Sequence, residues 1–134
     1  MTGRPSEHGR YGPVAPGATE ANPAAEQVDK ARRALAHLEA LERDARTIVA
    51  EGRQAFTRMI NRRAALSVII DVSSAIEKLP ATFKEARPHI PWEAIRGMRN
   101  ILAHDYQVVR DDLLWETLVR DIPELVDQIT SESQ

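Results

Sequence analysis

Arg99, Asn100 and His104 stand close together in the chain and are followed at once by Asp105 and Tyr106, the one chemically dense spot in the sequence. Histidine, with an ordinary pKa of about 6.5, exchanges protons at neutral pH, so His104 can take the proton of a ribose 2′-hydroxyl or protonate a leaving oxygen. Arg99 stays charged and suits the extra negative charge of a phosphorane-like transition state, while Asn100 can orient the phosphate or His104. The set fits metal-independent cleavage of a ribose phosphodiester. On one ideal helix Asn100 and His104 share a face, but Arg99 and His104, five residues apart, diverge by about 140°. Either the helix loosens near His104 or partner groups come from another subunit.

The elements that must position these residues read as helices throughout. Residues 1–22 are rich in Gly and Pro with almost no large apolar side chain, and are expected to form a flexible tail ahead of a single helical domain over 23–134. Asn22 followed by Pro23 starts a helix expected to run to about Gly52, with Val28, Ala31, Leu35, Leu38, Leu41, Ala45 and Ile48 on one stripe. A second helix is expected from about Thr57 to Leu79, stopped by Pro80, with small residues that permit close helix approach. A short helical turn fits Phe83 to Arg87. Pro91 opens a third helix that buries Trp92, Ile95, Met98 and Leu102, and a last one spans Leu113 to Thr130 behind Asp111 and Asp112, with Pro123 kinking or splitting it. No segment alternates with period two, so the expected fold is all-α, an up-and-down bundle of about four main helices.

Composition narrows the function classes. The chain has 134 residues, no cysteine and a formal net charge of −2, which excludes disulfides, thiol nucleophiles and Cys-based zinc sites and argues against non-specific coating of nucleic acid. The charge is uneven: Arg53 to Arg99 holds nine Lys/Arg against four Asp/Glu, whereas Asp105 to Gln134 holds two against eight. Arg58, Arg62, Arg63 and Arg96 lie in the basic part and are candidate RNA contacts, although such a run is by default a solvated face. His8, His37 and His89 share no ligand spacing with His104, and no metal or other cofactor is expected. No apolar run approaches the roughly 20 residues that span a bilayer, and the first residues do not read as a signal peptide, so no membrane association and a cytoplasmic location are expected.

The stretch IPWEAIRGMRNILAHDY, followed by a polar turn and LLWETLVRDIPELVDQI, resembles the C-terminal half of HepT toxins, ribonucleases of the HEPN superfamily with the motif Arg, four residues, His, one residue, Tyr. Arg99, His104 and Tyr106 fill that motif in register. The resemblance extends over about Ala25 to Ile129, with its specific markers between Ile90 and Gln128. It implies a homodimer whose two motifs face each other across a cleft, with RNA (tRNA or mRNA) as substrate. It also implies a MntA-type nucleotidyltransferase antitoxin that inactivates the toxin by transferring AMP to Tyr106, adding bulk and negative charge two residues from His104. One departure is visible: family members often carry an acidic residue in a Gly-Glu-Ala-like stretch of the second helix, where this chain has Ser73-Ser74-Ala75.

A non-catalytic reading stays open beside this one, a helical dimer that only binds a partner nucleotidyltransferase. Trp92 and Trp115 read as core or interface anchors rather than base-stacking platforms.

Overall fold

Asn22 opens the first helix as its type and place predict. Its side-chain oxygen accepts from the Ala24 amide at 2.9 Å, and Pro23 takes the first helical position, where a missing N–H costs nothing. The computed structural model describes residues 22–105 and 109–131. Its helices are α1 (Pro23–Ala50), α2 (Met59–Glu77), α3 (Ala81–Glu85), α4 (Trp92–Asp105), α5 (Asp111–Glu116) and α6 (Ile122–Ser131). A 3-10 turn, Arg53–Thr57, precedes α2, and a π-helical turn, Thr117–Asp121, joins α5 to α6. There is no strand among the described residues, and the all-α expectation holds. Of the expected tail, residues 1–21 lie outside the described residues, as does Tyr106.

The second helix is the centre of the bundle. Ala65, Leu66, Val68, Ile69, Val72, Ser73, Ala75 and Ile76 of α2 are buried, and it packs on α1, on α4 and on the run from α5 through the π turn. From α1 the buried side chains are Ala34, Leu38, Leu41 and Ala45, spaced by three and four. Leu38 and Ile129 are wholly enclosed, and burial of each contributes about 1.5–3 kcal/mol. Val28, placed on the stripe by periodicity, is instead 54% exposed, because no residue of α1 ahead of Ala34 is buried and its first turns carry no full cover.

Tertiary contacts explain where the boundaries depart from local signals. Phe56, buried in the 3-10 turn, meets the ring of Trp115 on α5 edge to face at 5.7 Å, which turns the chain before α2 and delays that helix to Met59. Gly52, at φ 92°, makes the bend after α1. Trp92 donates its indole N–H to the carbonyls of Lys84 and Arg87, both at 3.1 Å, and so pins the start of α4 to the end of α3. Pro123 does not split the last helix. The backbone stays helical from Asp111 to Ser131 through the π turn, whose wider path lies just ahead of a residue with no N–H and a ring that crowds the preceding turn.

Candidate active site on α4

Helix α4 carries Arg99, Asn100 and His104, with Glu93 in its first turn suiting the helix dipole. Ile95 and Leu102 are buried and Met98 is partly buried, and they lock the helix against the core. Arg99 borders that apolar edge and is half-buried; its Nε donates to Ser74 Oγ on α2 at 3.3 Å. Asn100 and His104 are exposed on the outer face, about 40° apart around the helix, while Arg99 is about 140° from His104. Among the described residues no hydrogen bond or ion pair joins His104 to Arg99. One copy of the chain therefore displays the expected side chains on two flanks of one helix and does not gather them into a cleft.

Two polar rungs cross between α2 and α4. Ser74 meets Arg99, and three residues further along α2 Glu77 accepts from Arg96 Nε at 2.7 Å, three residues back along α4. The matched spacing shows that the two helices run antiparallel. The hydrogen bond from Arg96 holds the Glu77 carboxyl below its ordinary range; burial opposes that shift, and the charges of Arg96, Lys84 and Arg99 add to it. Ser73 faces the other way: it is buried, and its hydroxyl donates to the Ile69 carbonyl at 3.1 Å. The two serines at the departure noted above thus differ in role, one satisfied within its own helix and the other touching the motif arginine.

The four arginines proposed as RNA contacts do not form one patch of solvated charge. Arg62 is drawn inward, its Nε on an Asp111 carboxylate oxygen at 2.8 Å and a terminal nitrogen on the Val109 carbonyl. Arg96 is paired with Glu77 and lies 3.6 Å from Glu93. Arg58, just before α2, and Arg63 are exposed. The reason is that α2 presents these side chains to different neighbours, Arg62 to the start of α5 and Arg63 to solvent. Sequence reasoning missed Glu77 and the anchoring role of Arg62. A signal for the first existed, since residues 74 and 77 on one helix and 96 and 99 on another repeat the same i, i+3 spacing.

No group of three or more His, Asp or Glu side chains able to hold a metal occurs among the described residues, and no helix among them is long and apolar enough to cross a membrane. An open apolar groove of about 580 Å³ beside α4, with Gly97, Met98, Leu102 and Leu113 in its walls, is lined by none of Arg99, Asn100 and His104.

The profile of the family described as "Ribonuclease HepT-like" matches residues 37–132, more than half of the chain. The chain belongs to the HepT-like ribonuclease family. This HepT-like chain is 37% identical over 67 residues to a protein of Caldanaerobacter subterraneus subsp. tengcongensis named "Putative RNase TTE0752", covering 50% of this chain and 60% of that one. It is 36% identical over 62 residues to the "Probable ribonuclease HepT" of Thermococcus cleftensis, covering 46% and 56%. It is 38% identical over 74 residues to the Methanocaldococcus jannaschii protein named "Gamma-glutamylcyclotransferase and putative RNase MJ0434", covering 55% of this chain and 33% of that protein. The chain thus spans less than two thirds of each of these relatives. No solved structure gives a significant match.

Proposed function

We propose that this HepT-like chain is the toxin of a toxin–antitoxin pair, a metal-independent RNA endonuclease that works as a homodimer. Arg99 stabilises the charged transition state, His104 transfers the proton and Asn100 orients the phosphate or the imidazole. A MntA-type nucleotidyltransferase serves as antitoxin by placing AMP on Tyr106. The observation that carries this reading is the separation of Arg99 and His104 on opposite flanks of α4, with His104 and Asn100 open to solvent and Arg99 braced on α2. A protein that keeps an exposed histidine and a braced arginine on one helix, in a family of ribonucleases, is suited to completing its site with a second copy.

The reaction needs only what these side chains supply. The imidazole of His104 accepts the 2′-hydroxyl proton as that oxygen attacks the adjacent phosphorus. The imidazolium so formed gives a proton to the 5′-oxygen as the phosphorus–oxygen bond to it breaks, which restores His104, and the product ends in a 2′,3′-cyclic phosphate. The purified protein, incubated with total RNA, is expected to yield such termini, and the His104→Ala and Arg99→Ala variants to yield none. In cells, expression without the antitoxin should arrest growth and the His104→Ala variant should not. RNA left intact at every protein concentration, together with a stable complex with the nucleotidyltransferase, would establish the non-catalytic adaptor instead.

A further inference from the structure

Ser74 occupies the interior of α2, where serine is a poorer helix former than alanine because its hydroxyl competes for backbone groups. Its neighbour Ser73 relieves that conflict by donating to the Ile69 carbonyl at 3.1 Å. Ser74 does not: the partner of its Oγ among the described residues is Arg99 Nε on α4, at 3.3 Å. At a half-buried place on a helix, an alanine would favour the backbone, and the hydroxyl's evident contribution is its contact with the arginine.

The next rung fixes the register that makes this contact. Glu77 and Arg96 meet at 2.7 Å, so α4 cannot slide or rotate against α2 by a residue without breaking an ion pair. That rung also separates the two arginines by chemistry. Arg96 is paired directly with a carboxylate, whereas the direct partner of Arg99 is a neutral oxygen that orients it, and Glu77 acts on Arg99 only through space. With Nε taken by Ser74, the terminal nitrogens of Arg99 have no partner among the described residues, and these are the donors that grip a phosphate side by side.

We infer that Ser74 is a positioning residue for Arg99, aiming its guanidinium at the scissile phosphate without cancelling its charge. This rests on the reading of Arg99 as a residue of RNA cleavage. Ser74 does not touch RNA in this scheme. Its removal leaves Arg99 in place but free to sample rotamers, so the loss falls on the transition state, where orientation counts, more than on substrate binding.

The test joins a spectroscopic readout to a kinetic one on the full chain. In ¹⁵N-edited NMR spectra the Arg99 Nε–H signal, assigned by its disappearance in Arg99→Ala, should shift and exchange faster with water in Ser74→Ala and return towards the parent position in Ser74→Thr, which keeps a hydroxyl. With RNA as substrate, Ser74→Ala should lower kcat about tenfold, the scale of one lost hydrogen bond to a charged group, with KM nearly unchanged. Ser74→Thr should recover most of that rate. An Arg99 Nε–H signal unmoved by Ser74→Ala overturns the inference whether or not RNA is cut, and so does a moved signal with unchanged kcat. Failure of the parent protein to cleave RNA would instead sink the ribonuclease reading, with the NMR signal still reporting on the Ser74 contact.

Discussion

Arg62 reaches from the first turns of α2 to the first residue of α5: its Nε donates to Asp111 Oδ1 at 2.8 Å, and a terminal nitrogen donates to the Val109 carbonyl. Only 17% of the Arg62 side chain is exposed. The fork therefore ties Val109 and the start of α5 to α2. Arg62→Ala should lower stability by about 1–3 kcal/mol, since it strips a partly buried carbonyl and a carboxylate of their donor. Arg62→Lys should recover only part, because one ammonium cannot satisfy both partners in the same geometry. Urea denaturation measures this. A variant with unchanged stability and weakened RNA cleavage would mean that Arg62 contacts RNA after all.

Glu77 gives the seam between α2 and α4 a pH dependence. The hydrogen bond from Arg96 lowers its folded-state pKa below the ordinary 4.5, so its contribution to stability is fully present above that value and is lost as pH falls through the lowered one. The stability gap between the parent protein and Glu77→Gln should be constant near neutral pH and should narrow as pH drops below 4.5. Denaturant titrations of both proteins at neutral and acidic pH decide this, and a gap that widens in acid would contradict the pairing.

The two described glycines should respond to alanine with opposite signs. Gly52 sits at φ 92° and ψ 155°, a region almost closed to residues with a Cβ, and although nothing lies within 4 Å of an added methyl, Gly52→Ala should cost about 1–3 kcal/mol in backbone strain. Gly97 lies inside α4 with ordinary helical geometry and equal open space, so Gly97→Ala should raise stability by about 0.5–1 kcal/mol through helix propensity. Thermal melts compare the two, and a destabilised Gly97→Ala would show that something packs against α4 at that point.

Local chemistry made the helices legible and tertiary chemistry hid the rest. Asn22-Pro23 and Pro80 mark their boundaries by cap and ring geometry that depends on neighbours in sequence, and the structure keeps them there. The 3-10 turn before α2 depends on Phe56 finding Trp115, nearly sixty residues away, and the π turn on how Pro123 is accommodated. No window of sequence contains either. Within the site, the divergence of Arg99 and His104 followed from 100° per residue alone. The Ser74 to Arg99 contact needed the register of α2 on α4, which is fixed partly by Glu77 and Arg96, a pair 19 residues apart that single-helix periodicity does not connect.

The proposed composite site makes a quantitative statement about mixed dimers. If Arg99 of one copy works with His104 of the other, an Arg99→Ala protomer paired with a His104→Ala protomer contains one complete site and one with both groups missing. Each variant alone should be inactive. Random mixing after denaturation and refolding should restore about a quarter of the parent activity, since about half the dimers are mixed and half their sites are complete. If instead both groups act within one copy, every site in every mixed dimer lacks one of them, and mixing restores nothing. Rates of RNA cleavage against the mixing ratio, peaking at equal amounts, distinguish a cleft shared between two α4 helices from chemistry confined to one.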